Sequence, residues 1–151
     1  MRATPQQLFS LPLAALLISG EAWVAAAADD KRPALDCKLG FDAIREAAYA
    51  LPGAEKSEKP DWDMVKVKSA GAADKEWWLA LFVFTQKQHY AYPTVTLKSI
   101  WKEPDGKVLT ERTACGYGDK ALFDKVMAEF ADLDRQMNEA IAKEHPDKPK
   151  Q

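Results

Sequence analysis

The chain has 151 residues, with 21 Lys or Arg against 23 Asp or Glu and a formal charge of −2. Hydrophobic residues make up 47% and charged residues 29%, the balance of a single globular domain. This excludes a collagen-like or low-complexity chain, two cysteines exclude a dense disulfide scaffold, and the near-neutral charge argues against a nucleic-acid partner.

The first segment reads as a leader. Arg2 precedes an apolar block of Leu8, Phe9, Leu11 and Leu13 to Ile18, which Gly20 and Glu21 end. Small residues follow, Ala25 to Ala28, as signal peptidase requires. We therefore expect a cleavable signal peptide over 1–28, cut after Ala26, Ala27 or Ala28. The apolar run falls short of the roughly 20 residues a membrane span needs. A lipoprotein is disfavoured, because Asp36 precedes Cys37 where a small residue is required. The expected location is periplasmic or secreted, with no membrane span in the mature chain. One domain is expected over 29–145, followed by a charged, Pro-containing tail over 146–151 that is expected to be mobile.

Export decides how the cysteines are read. Cys37 and Cys115 are the only two, and an even pair in an oxidising compartment predicts one disulfide. So long a closed loop contributes about 4–5 kcal/mol in the chain-entropy model. A redox or metal role finds no support, since there is no C-x-x-C and both histidines lie far away in sequence.

Phe41, Ile44, Ala48 and Leu51 recur at helical spacing, and Pro52-Gly53 stops that helix. Ala54 to Pro60 is polar and reads as a loop. Trp62 to Lys68 alternates as a strand, and Ser69 to Asp74 reads as a turn. The run Trp77 to Phe84 is the most apolar of the mature chain and reads as a central strand covered on both faces. Gln86 to Ala91 is a polar connection. Thr94 to Lys102 then alternates, with Val95, Leu97 and Trp101 on a dry face and Thr94, Thr96 and Lys98 on a wet one. Glu103-Pro104-Asp105-Gly106 predicts a hairpin turn, with Lys107 to Thr113 as the return strand. Asp119 is positioned to cap a helix from Lys120 to Lys143. Its apolar stripe runs Leu122, Phe123, Val126, Met127, Phe130, Leu133, Met137, Ala140 and Ile141, and Glu139 and Lys143 add an ion pair.

These elements predict an α+β fold of two layers. An antiparallel meander of about four strands carries an N-terminal helix and a long C-terminal amphipathic helix, both on one face. The disulfide would pin both helix entrances to one end of the sheet. The helix-then-meander order loosely resembles cystatin-like folds and the long closing helix resembles helix-grip folds, although no motif carries either resemblance and fold would not settle function.

Candidate chemistry is sparse. Nucleophilic catalysis needs a base, and only His89 and His145 are present. His145 sits beside Pro146 at a helix end, where the helix dipole accounts for it. No G-x-S-x-G elbow occurs. Asp61 and Asp63 flank Trp62 as solvated neighbours of a strand and do not make up the 6–8 oxygens of a calcium site. Cys115-Gly116-Tyr117-Gly118 lacks phosphate-loop spacing and reads as a flexible strand-to-helix turn. Met64, Met127 and Met137 fit core positions. The residue set therefore leans away from an enzyme, and no cofactor or metal is expected. Aromatics are the remaining clue. Tyr90 and Tyr92, beside His89 and just before Pro93, are expected to form a contact patch. The favoured function is a small exported binding or accessory protein contacting another exported protein through Gln86 to Pro93. The alternatives are a carrier of a small apolar ligand between sheet and long helix, and, behind both, an enzyme of unknown class.

Overall fold

The computed structural model describes residues 31–69 and 77–144. The expected signal over 1–28, most of the turn after Ser69, His145 and the tail over 146–151 lie outside the described residues. A 3-10 turn, Cys37–Leu39, leads into helix α1, Phe41–Tyr49. Five strands come next: β1 Glu55–Glu58, β2 Trp62–Lys68, β3 Trp77–Thr85, β4 Thr94–Lys102 and β5 Val108–Gly116. Helix α2, Lys120–Glu144, closes the described chain. The strands form one antiparallel sheet in sequence order, β1 to β5.

The α+β class, the antiparallel meander and both helices are as expected, with five strands where about four were expected. The extra strand is β1, which lies in the segment read as a loop. Every side chain of Glu55-Lys56-Ser57-Glu58 is exposed, so no apolar alternation marks it. Pairing with β2 alone makes it a strand, with Glu55 opposite Lys66 and their side chains 2.6 Å apart. The β4–β5 turn forms as expected. Gly106, at φ +91°, donates its N–H to the Glu103 carbonyl, and Asp105 Oδ1 accepts from Lys107 N–H.

The two helices do not share a face. Side chains alternate across each strand, and the two helices touch alternate sets. Phe41, Ile44 and Ala48 of α1 pack with Val65, Val67, Ala80, Phe82, Phe84, Val95 and Leu97. Val126 and Phe130 of α2 pack with Val83 and Ala91, flanked by Trp62, Met64 and Leu81. This corrects the wet face of β4 as well. Thr94, Thr96 and Lys98 are buried, because that side faces α2. Their polar groups have partners. Thr94 Oγ1 donates to the Ala91 carbonyl, and Thr96 Oγ1 accepts from Arg112 Nη1.

Cys37 and Cys115 form the expected disulfide, 78 residues apart in sequence. It joins the entry of α1 to the end of β5. Tyr117 Oη donates to the Cys37 carbonyl at 3.0 Å, and the Asp119 carboxylate caps α2 through Leu122 N–H at 3.0 Å. The Gly116 to Gly118 turn is tightly packed where flexibility was expected. A Cβ on Gly118 would lie 2.7 Å from the Tyr92 carbonyl oxygen. Glu139 pairs with Arg135 at 3.2 Å, in place of the expected Lys143.

Candidate functional site

Residues 86–93 link β3 to β4 at the end of the sheet where the disulfide lies. Backbone bonds fold this connection into tight turns: His89 N–H to the Gln86 carbonyl, then Tyr92 N–H to the His89 carbonyl. Its first half is braced by the β1–β2 turn. Gln86 Nε2 donates to Asp63 Oδ1 at 2.7 Å and to the Lys59 carbonyl at 3.1 Å, and Gln88 donates to the Pro60 carbonyl. The Tyr92–Pro93 peptide is cis.

The connection divides the three expected contact residues between the two faces. His89 is buried, with its ring 4.6 Å from Trp62 and 4.5 Å from Tyr90. Its Nδ1 accepts from Ala91 N–H, which holds the turn. Tyr90 is 38% exposed, yet α2 engages it at two points. Lys125 Nζ lies 4.6 Å above its ring. Partial burial and then the Glu129 carboxylate, which accepts from its hydroxyl, push the Tyr90 pKa up to about 12. Tyr92 turns to the opposite face and packs edge-on against Phe41 at 5.4 Å. His89 and Tyr90 are therefore neighbours, and Tyr92 belongs to a different surface.

On the Tyr92 side the connection walls an open cleft of about 550 Å³. Asp42 and Arg45 of α1 form one wall, paired at 3.2 Å. Glu58 of β1 and Asp63 of β2 form another, and Gln86, Lys87, Gln88 and Tyr92 complete the lining. Asp63 also acts on Tyr49, whose hydroxyl pKa is raised by burial and then by that carboxylate. Tyr92 is the aromatic residue of the lining, and the rest of it is charged and amide groups. Tyr92 and the Gln86-Lys87-Gln88 stretch were expected from sequence. Asp42, Arg45, Glu58 and Asp63 were not, because they are ordinary surface residues until folding brings them together.

The other notable polar cluster lies under α2. Asp134 receives Nε and Nη2 of Arg112 at 2.8 Å each, with Lys98 Nζ at 3.3 Å. The Arg112 guanidinium also lies 4.4 Å from the Phe130 ring. Burial pushes the Asp134 carboxyl up, but hydrogen bonds and charge from Arg112 and Lys98 outweigh it and hold the group below its ordinary value. This cluster is a structural clamp between helix and sheet.

Among the described residues no three His, Cys, Asp or Glu side chains gather to hold a metal ion, and no helix is long and apolar enough to cross a membrane. Comparison with protein-family models, curated proteins and solved structures finds no match for this chain.

Proposed function

We propose that this is an exported, non-enzymatic binding or accessory protein, periplasmic or secreted, that holds a segment of another protein in the cleft beside Tyr92. The observation that carries the reading is the cleft itself. It is an open groove of about 550 Å³, with room for an extended segment lying along it. Its lining of carboxylates, cations and amides suits a peptide backbone and polar side chains better than an apolar molecule. Hydrogen bonds from Gln86 and Gln88 to the β1–β2 turn pre-form one wall, which lowers the ordering cost of binding. The disulfide and the leader-like first segment support export.

The test is capture from the native compartment by the full chain and by a double variant, Asp42→Lys with Lys87→Glu. Both positions are exposed and outside the core, so the variant is expected to fold. The proposal expects a partner retained by the wild type and lost by the variant. Equal capture by both proteins would remove the cleft as the contact surface.

A further inference from the structure

On the α1 face, away from the cleft, lies a second pocket of about 210 Å³, open to solvent on one side. We infer that it is a binding site for a small neutral apolar group, a single aromatic ring or a short alkyl chain. Pro33, Ala34 and Leu39 form one wall, Ile44 and Ala47 of α1 form another, and Phe82 of β3 is the floor.

The first wall is fixed at both ends. The Arg32 guanidinium lies 3.6 Å from the centre of the Trp101 ring on β4. At the other end Cys37 is bonded to Cys115, and its carbonyl accepts from Tyr117 Oη. A segment held this way gives the cavity a standing shape before anything binds. Phe82 is 3% exposed and rigidly placed, stacked on Phe84 with ring centres 6.2 Å apart.

Size and polarity set the ligand class. About 150 Å³ of apolar space is enough for benzene, so this pocket, which is open to solvent on one side, has room for a ring or a short chain seated against Phe82 and is too small for a lipid. Asp36 is the charged group on its lining, and its Oδ1 is already taken by Lys38 N–H at 3.0 Å. A neutral ligand satisfies such a lining, and an anion would meet the Asp36 carboxylate. Leu39, 58% exposed at the rim, is apolar surface that a bound ligand would cover. The alternative reading from sequence put a small apolar ligand between the sheet and the long helix, whereas this pocket lies beside the short one. The inference is independent of the protein-binding cleft.

The experiment is methyl-detected NMR on the full chain, titrated with 1-hexanol and separately with hexanoate. Saturable shifts are expected at the methyls of Leu39, Ile44, Ala47 and Ala48, with 1-hexanol binding more tightly than hexanoate. Ala47→Phe, at an exposed position of α1, should fill the cavity and weaken 1-hexanol by about tenfold or more, with the circular dichroism melt retained. Ala47→Leu provides a milder plug if the larger side chain disturbs folding. Non-saturable shifts, or an unchanged Kd in both variants, would overturn the site. Equal binding of hexanoate would overturn the neutral class.

Discussion

The two faces of the sheet are held in different ways. On one face a helix of nine residues buries Phe41, Ile44 and Ala48 against a dry array of aromatic and branched side chains. On the other, a helix of 25 residues buries only Val126 and Phe130. That helix is about 37 Å long at 1.5 Å per residue, yet Leu122 and Leu133 on its apolar stripe remain 39% and 54% exposed. What the long helix lacks in apolar burial is complemented by ions: Asp134 clamps it to Lys98 and Arg112. Helix length is thus a poor guide to anchoring. The short helix buries three of its nine residues in one apolar cluster, held by dispersion and water exclusion, while the long one depends on a few discrete contacts.

This contrast is open to attack by mutation. The largest effect is expected from Phe84→Ala on the α1 face. Phe84 is fully buried, edge-on to both Phe41 and Tyr49. Its loss should cost about 3–5 kcal/mol in chemical denaturation, through lost burial and the cavity left behind.

Asp134→Asn comes next and attacks the other face. It leaves two cations under α2 without their carboxylate, at an expected cost of about 2–4 kcal/mol. Amide exchange in the second half of α2 should rise more than in α1, and uniform acceleration across both helices would contradict the contrast. Acid should reproduce this effect in the wild type. The Asp134 carboxyl lies below its ordinary value of 3.8 when folded. Its contribution is therefore complete above about pH 4 and lost as pH falls through the lower folded value. The Asn variant should lack this component of the acid unfolding curve.

The smallest effect is expected for Leu133→Ala. Although the periodicity places Leu133 on the apolar stripe, its exposure limits the change to about 0.5 kcal/mol or less in the same denaturation assay. A loss of core size would mean that α2 is anchored along its whole length.

Much of this architecture was legible in local patterns. The bounds of β2 and β4 come from alternation, the hairpin from Pro104 and Gly106, the start of α2 from its Asp119 cap, and the bridge from the even cysteine count in a chain read as exported. Strand β1 was hidden because an edge strand with every side chain in water carries no burial signal. The cleft was half visible. Tyr92 and the glutamines stood out as a polar, aromatic connection, while Asp42, Arg45, Glu58 and Asp63 come from three separate elements and carry no shared spacing. Tyr90 and Tyr92 looked like one patch because a single residue separates them in sequence. Folding sends them to opposite faces.

The order of residues determines the set of elements, because helix and strand periods, caps and turns act over a few positions. The side of the sheet each helix takes is a tertiary matter. An amphipathic stripe states that one face is covered and is silent about which surface covers it. Lys98 shows the limit most clearly. In a strand pattern it marks the solvent side, and only a carboxylate arriving from 36 residues later in the chain offsets the cost of burying it.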